Sequence, residues 1–249
     1  MNFKFQNLLG APYRGGNLVI SGNSHLLSPV GNRVSTTDLI KSETTTLPCE
    51  NIKNVSRIAV SPNGALLLSV DEEGKSLLIN LRRQVVLHHF SFKGPVSTVT
   101  FSPDGAFIAA AVGKILQIWR TPGFRLEFAP FQLVKTFTGC HDAITSLDWC
   151  PDCQWIIVSH KDLIVRLFCI HKVDNYNPIV LMGHRDLVCG AYFKVSSGTE
   201  DDKVIGAYSI SRDDSLFSWI HNAPENGESY SLVKPKNGFE VKYSSIDQH

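Results

Sequence analysis

Two groups of side chains have the types and spacing that chemistry would require. Cys150 and Cys153 are separated by two residues, the spacing at which two thiolates bind one zinc ion or form a redox-active disulfide. His184, Ser209 and Asp213 supply the three residue types of a hydrolytic triad. The first group would indicate a zinc or thiol protein, and the second an acyl-transfer enzyme.

The cysteine pair lacks the surroundings that either chemistry needs. Zinc requires four ligands, and no second Cys-x-x-Cys or His pair follows at finger spacing. A redox pair is expected near a βαβ pattern, which the chain does not show. The tetrapeptide CPDC from Cys150 instead matches SPNG at 61–64 and SPDG at 102–105. The pattern therefore predicts a turn in which cysteines replace turn residues, and a thiol or zinc protein is the alternative.

These turns belong to an internal repeat. Four times, an aliphatic or β-branched run leads through a turn into a second run, a polar turn and a third run; the units begin at Val55, Val96, Ile144 and Leu187. The third runs end at Ile79, Trp119, Phe168 and Trp219, separated by 40, 49 and 51 residues. A period of about 40 to 45 residues with three or four short strands is typical of WD-type propeller blades.

A fifth, less regular unit precedes the four. Its alternating segments from Asn17 include Gly31-Asn32, a two-residue hairpin turn. We predict an all-β WD-repeat β-propeller portion over residues 1–224, followed by a polar, divergent tail at 225–249. Its blades are predicted near residues 17–49, 55–90, 96–138, 144–182 and 187–234. Seven blades would need about 280 residues, so we expect about five blades of an incomplete seven-bladed ring and a tendency to self-associate.

The repeat changes how the His, Ser and Asp set is interpreted. Gly183-His184 precedes the first strand of the last unit, Ser209 lies four residues before Asp213, and Trp219 lies six after it. No G-x-S-x-G elbow is present, and the set recurs at repeat spacing, unlike a unique catalytic triad. We predict a structural tetrad joined by hydrogen bonds. Other units keep less of it: the third has Cys140 and Phe168 in the His and Trp places.

Composition excludes other classes of function. The 24 Lys and Arg residues against 23 Asp and Glu give a net charge of +1, so no global field attracts nucleic acid or anionic membranes. RNA contact would need a local patch, for which Arg82 and Arg83 are the candidates. Gly113-Lys114 lacks the phosphate-loop pattern, and no apolar run approaches about 18 residues. We therefore predict no cofactor, metal, catalytic residue, small-molecule substrate or membrane association.

Several segments resemble one known family beyond the general repeat. They are MNFKFQNLLGAPYRGGN, the run from Asn80 to Pro122, the FAPF insertion and GHRDLVCGAYF, and they are similar to the N-terminal portion of the periodic tryptophan protein 2 family. The resemblance covers about residues 1–220.

The resemblance implies a role in ribosome biogenesis. It implies a nuclear, nucleolar scaffold of the UtpB subcomplex within the small-subunit processome, needed for maturation of small-subunit rRNA. The implied partners are other WD-repeat and helical proteins of that subcomplex, pre-ribosomal RNA and a small nucleolar RNA. A WD-repeat adaptor in another complex, for example in ubiquitin ligation or trafficking, is the alternative within the same fold.

Overall fold

All regular structure in the described residues is β. The computed structural model describes residues 15–22, 24–123, 128–171, 178–196 and 204–220, which form 19 strands in five antiparallel sheets. In every sheet the strands are neighbours in chain order, so each sheet is a meander. The predicted all-β class with five sheets of WD-blade type is confirmed.

The five sheets are numbered along the chain. Sheet 1 contains β1 (Val19–Ser21), β2 (His25–Val30), β3 (Arg33–Asp38) and β4 (Glu43–Thr46). Sheet 2 contains β5 (Val55–Val60), β6 (Leu66–Asp71), β7 (Lys75–Asn80) and β8 (Val85–Ser91). Sheet 3 contains β9 (Val96–Phe101), β10 (Phe107–Val112), β11 (Ile115–Arg120) and β12 (Gln132–Phe137).

The remaining sheets follow the same order. Sheet 4 contains β13 (Ile144–Trp149), β14 (Trp155–His160), β15 (Ile164–Cys169) and β16 (Ile179–Met182). Sheet 5 contains, within the described residues, β17 (Val188–Val195), β18 (Val204–Ser211) and β19 (Leu216–Ile220). The end of the blade predicted near residues 187–234 and the tail at 225–249 lie outside the described residues.

The chain divides into two compact units, one ending at Thr136 and one beginning at Phe137. In the first unit, sheet 2 is buried on both faces. Leu67 packs with Leu27 of sheet 1, whereas its neighbour Leu68 packs with Val99 and Ile108 of sheet 3. A strand covered on both faces needs no alternation of polar residues, which explains the continuous apolar run in β6.

In the second unit, sheets 4 and 5 share one core. Ile157 and Leu167 of sheet 4 pack against Ala191 and Ala207 of sheet 5. The small alanines allow the two sheets to approach closely, and the larger side chains come from the other side. Every residue of β14 is buried, as expected for a central strand.

Side chains in or just before the first strand of a sheet, here called its inner strand, also bond to the next sheet within each unit. The Asn17 side chain accepts from Ile58 N at 2.8 Å and donates to Ile58 O at 2.9 Å. In the second unit, Thr145 donates to the carbonyl of Val188 at 2.7 Å, and Asp148 accepts from the amide of Phe193 at 3.0 Å. These bonds satisfy backbone groups of inner strands and fix the sheet register.

Strand β4 is the element that sequence reasoning missed. Its sequence, ETTT, contains no apolar residue, so it carries no hydrophobic signal. It is held by cross-strand hydroxyl pairs instead: Ser35 with Thr46 and Thr37 with Thr44, each at 3.1 Å. Within the described part of the chain, no helix is long and apolar enough to cross a membrane.

Candidate functional site

The tetrad predicted in the last unit forms a chain of five residues. Trp219 Nε1 donates to Ser209 Oγ at 2.9 Å, and Ser209 Oγ lies 2.6 Å from His184 Nε2. On its other side, His184 Nδ1 lies 3.2 Å from Ser215 Oγ, which donates to Asp213 Oδ1 at 2.6 Å. These contacts link Asp213 to the histidine through Ser215, a residue that sequence reasoning missed.

One arrangement of protons satisfies every contact of this chain. An indole N–H can only donate, so Ser209 accepts from Trp219, and its own hydroxyl hydrogen can donate to His184 Nε2. Nδ1 then carries the imidazole proton and donates to Ser215, which donates to the carboxylate of Asp213. Burial lowers the pKa of His184, although the charge of Asp213 opposes the shift. The histidine is therefore neutral.

This arrangement is structural rather than hydrolytic. The Ser209 side chain is fully buried, and its oxygen is occupied by the indole and the imidazole. His184 is also fixed by stacking on Phe217, with ring centroids 4.2 Å apart. A hydrolase needs a nucleophile that a substrate can reach. The chain instead ties the segment before β17 to β18 and β19.

The other sheets have an equivalent position, four residues before the first residue of the inner strand. Its occupants are Asn51, Phe92, Cys140 and His184, which precede Val55, Val96, Ile144 and Val188. In sheet 2, Asn51 performs the role of the histidine: its Oδ1 accepts from Ser69 Oγ at 2.8 Å. Sequence reasoning missed Asn51 and Phe92, although their spacing to the inner strand could have identified them.

In sheet 3 this position makes apolar contacts instead of polar ones. We call the position and its contacts the junction of the sheet. Phe92 lies edge-on to Trp119, with ring centroids 6.3 Å apart, and Phe90 stacks on Phe131 at 4.2 Å. Trp119 Nε1 donates to Gln117 Oε1 at 3.2 Å, because β10 offers only alanines at this point. Aromatic packing replaces the polar chain in this sheet.

Sheet 4 has a charged version. Cys140 is buried where a histidine would stand, and Arg166 forms an ion pair with Asp162 at 2.9 Å. Burial alone would raise the pKa of Asp162, but the hydrogen bond and charge of Arg166 outweigh it and hold this pKa below its ordinary value. Burial, reinforced by Arg166, lowers the pKa of the neighbouring His160 to about 4.

The turn at Cys150 is the same turn that two other units form with serine and glycine. In the first, Ser61 Oγ accepts from Leu66 N at 2.9 Å and Gly64 has φ +65°. Cys150 takes the serine place, and Cys153 takes the glycine place with φ +58°. Burial is the main cause that raises the pKa of the Cys150 thiol. A protonated thiol is neither a zinc ligand nor a redox nucleophile.

Replacing Cys153 with Gly should stabilise the protein. A side chain in the left-handed region costs about 1 to 2 kcal/mol, and glycine removes most of that cost, so we expect a gain of about 1 kcal/mol in the free energy of unfolding. Urea unfolding measures it. The converse change, Gly105→Cys at a φ of +74°, is the matched control and should destabilise. A destabilised Cys153→Gly variant that also loses bound zinc would support the metal alternative.

The candidate RNA residues occupy the turn between β7 and β8. The side chain of Asn80 shapes this turn, since its Oδ1 accepts from the amides of Arg82 and Arg83 at 3.0 and 3.1 Å. Both arginines are exposed. The structure therefore presents two adjacent guanidinium groups to solvent on a fixed turn.

Five meandering sheets, four of which have the same side-chain position before their first strand, define a WD-repeat protein. The family model "WD domain, G-beta repeat" matches residues 83–120 and 131–169. Each match begins near the outer strand of one sheet and includes the first three strands of the next, so the sequence repeat is offset from the sheet by one strand.

Comparison with curated proteins identifies the family more closely. The chain is 50% identical over 221 residues to periodic tryptophan protein 2 of Arabidopsis thaliana, covering 88% of this chain and 24% of that protein. The Saccharomyces cerevisiae protein of that name is 42% identical over 88% of this chain and 23% of its own length. The Mus musculus homolog is 39% identical, with 90% and 24% covered. The chain belongs to the periodic tryptophan protein 2 family and spans about a quarter of these relatives' length.

Proposed function

We propose that the chain is part of a non-catalytic WD-repeat scaffold for maturation of small-subunit rRNA. Its partners are the WD-repeat and helical proteins of the UtpB subcomplex, together with pre-ribosomal RNA and a small nucleolar RNA of the small-subunit processome. Its place is the nucleolus. The observation that carries the proposal is the 50% identity to periodic tryptophan protein 2 over 88% of the chain.

The chemistry of the junctions supports a scaffold over an enzyme. The groups that could act as nucleophile or base are committed to internal bonds: Ser209 and His184 to Trp219 and Ser215, and Ser69 to Asn51. Cys150, the centre of the thiol or zinc alternative, is held protonated by burial. Buried polar networks of this kind specify a fold rather than turn over a substrate.

Affinity purification of the tagged, full-length protein from cells tests this function. We expect processome proteins and small-subunit rRNA precursors to co-purify, and depletion of the protein to make those precursors accumulate. Co-purification with a ubiquitin ligase or trafficking complex, with normal rRNA processing after depletion, would instead establish the alternative of a WD adaptor in another pathway.

Arg82 and Arg83 provide a sharper test of RNA contact. The double change Arg82→Glu/Arg83→Glu should weaken RNA binding severalfold and reduce the slope of log K against log salt by roughly 1 to 2, because each phosphate contact contributes about 0.7 to 0.9. Filter binding across a salt series measures both values. Arg185→Glu/Arg212→Glu, which reverses the same charge at two other exposed arginines, is the matched control. Equal losses in the two double variants would mean that the β7–β8 turn has no special role.

A further inference from the structure

Four turns of the first unit meet at one end of sheets 1 and 2. They are the β1–β2, β3–β4, β5–β6 and β7–β8 turns. A backbone hydrogen bond of 2.8 Å from Leu39 N to Ser24 O joins the first two, and one of 2.9 Å from Leu81 N joins the last two. The two pairs touch, because a Cβ added at Gly64 would lie 3.1 Å from Ser21 Oγ. We call this continuous surface the turn surface.

The β3–β4 and β7–β8 turns have the same construction. Asp38 Oδ1 accepts from the amides of Ile40 and Lys41 at 2.9 and 3.2 Å, just as Asn80 Oδ1 accepts from the amides of the two arginines in the β7–β8 turn. The residue before each outer strand has a left-handed backbone, with φ values of +55° and +54°. Ile40 and Lys41 therefore occupy the places of the two arginines.

The β3–β4 turn exposes aliphatic side chains that the turn itself does not need. Ile40 is 81% exposed and Leu39 is 53% exposed, whereas the equivalent Leu81 packs against the core between sheets 1 and 2. Turns favour Gly, Pro, Asn, Asp and Ser, so an isoleucine at the tip neither shapes the backbone nor buries its own surface. An apolar side chain of a partner would remove this surface from water.

Cations lie beside this apolar tip. Lys41, Arg82 and Arg83 are all exposed. Two acids are close to them in the chain, but the carboxylate of Asp38 is already occupied by the amides of its own turn. The other is Glu43, the exposed first residue of β4. The turn surface thus combines an aliphatic tip with three basic side chains.

This combination fits a protein segment better than it fits RNA. RNA would use the cations, but RNA binding without sequence preference relies on aromatic side chains that stack on the bases, and the residues between these strands include no aromatic side chain. Exposed aliphatic groups rimmed by polar residues are typical of protein-binding sites. Charge complementarity then requires that the segment be acidic.

We propose that the turn surface binds an acidic segment of a partner protein, and that this segment carries an aliphatic side chain. The aliphatic side chain packs on Leu39 and Ile40, and the carboxylates bond to Lys41 and to the arginines of the β7–β8 turn. The segment and RNA then compete for the same two guanidinium groups. The proposal rests on the scaffold function, since it names a surface by which the scaffold holds a protein and excludes RNA.

Fluorescence anisotropy with the full chain and labelled peptides tests this proposal. The probes are a peptide of ten glutamates around one central leucine, the same peptide with serine in place of leucine, and a peptide of ten glutamines around the leucine. We expect the serine peptide to bind severalfold more weakly than the first. The glutamine peptide should bind at least about tenfold more weakly, because it makes no charge-assisted hydrogen bonds. The leucine–glutamate peptide should also displace labelled oligouridylate.

Matched variants assign this binding to the turn surface. Ile40→Ser should lower the affinity for the leucine–glutamate peptide to that of the serine peptide and leave oligouridylate binding unchanged. Ile52→Ser, which removes a 74% exposed side chain in the segment before β5, is the control and should change neither. Lys41→Gln should weaken both acidic peptides severalfold, whereas Lys93→Gln, at an exposed position before β9, should not. Glu43→Gln should strengthen both, because it removes a like charge.

Equal affinities for the leucine and serine peptides, equal losses in Ile40→Ser and Ile52→Ser, or bound oligouridylate that the peptide does not displace would overturn the proposal. If oligouridylate does not bind, the RNA contact at the arginine pair is wrong and the peptide affinities alone decide the proposal. Normal rRNA processing after depletion would refute the proposed function, while peptide binding that depends on Ile40 would still establish the turn surface.

Discussion

Replacing Ser209 with Ala will lower the free energy of unfolding of the second unit by about 2 to 6 kcal/mol. The hydroxyl of Ser209 serves two buried groups, Trp219 Nε1 at 2.9 Å and His184 Nε2 at 2.6 Å. Each buried polar group left without a partner costs about 1 to 3 kcal/mol. Since the free energy of unfolding of a whole domain is about 5 to 15 kcal/mol, this one oxygen atom accounts for a large share of that free energy. Urea unfolding followed by tryptophan fluorescence reports it, because three of the four tryptophans lie in the second unit.

The connectivity of the chain also predicts an order of effects. Asp213→Ala should cost less than Ser209→Ala, because Asp213 is exposed and reaches the histidine through Ser215. Ser218→Ala, at an exposed position of β19 beside Trp219, should change stability little. If Asp213→Ala is the more damaging of the two, the relay through Ser215 is incorrect and the carboxylate acts directly on the histidine.

The repeat length of the fold could be predicted from sequence because every blade is built from the same local sequence pattern. A turn followed by two or three apolar runs recurs, and the ends of the third runs at Trp119 and Trp219 occupy equivalent places in their sheets. Strand β4 escaped prediction since its threonines bond to a neighbour instead of burying apolar surface. Periodicity reports burial, so an edge strand held by hydroxyl pairs leaves no signal.

The junction residues were harder to predict, for a physical reason. Four different groups occupy the equivalent position in four sheets: an amide at Asn51, an aromatic ring at Phe92, a thiol at Cys140 and an imidazole at His184. A search for the histidine alone finds one of the four. The spacing to the inner strand is shared by all, whereas the chemistry depends on what faces the site: Ser69, Trp119 or Ser209. Residues distant in sequence therefore determine which side chain fits this position, and they come together only in the assembled sheet.

Lowering the pH from 7 to 4 will destabilise the second unit, chiefly through His160. This imidazole is fully buried beside Arg166, and both burial and that charge lower its pKa to about 4, against an ordinary 6.5. Between pH 6.5 and 4 the unfolded chain therefore binds a proton at His160, whereas the folded chain does not. Stability is complete above pH 6.5 and falls by about 3 kcal/mol as the pH drops to 4, since one pKa unit corresponds to about 1.4 kcal/mol.

Other groups of the second unit also have shifted pKa values, and their contributions to the pH dependence of stability differ in sign. Burial lowers the pKa of His184, which adds to the loss. Burial raises the pKa of Asp148, which opposes it, because the folded state then binds the proton more readily. The pKa of Asp162 is lowered, so its contribution is lost mainly below this range. The difference between wild type and a variant that lacks the imidazole isolates His160 from all three.

His160→Gln supplies that variant, since the glutamine amide can still donate to Ile164 O, which lies 3.3 Å from His160 Nδ1 in the wild type. Urea unfolding at half-unit steps from pH 7.5 to 4 should give a curve for His160→Gln that is flatter than wild type by about 3 kcal/mol over the range. An NMR titration of the His160 ring should show no protonation above about pH 5. A ring that titrates near 6.5, or two parallel stability curves, would show that the imidazole is solvated and that the charged junction of sheet 4 opens in solution.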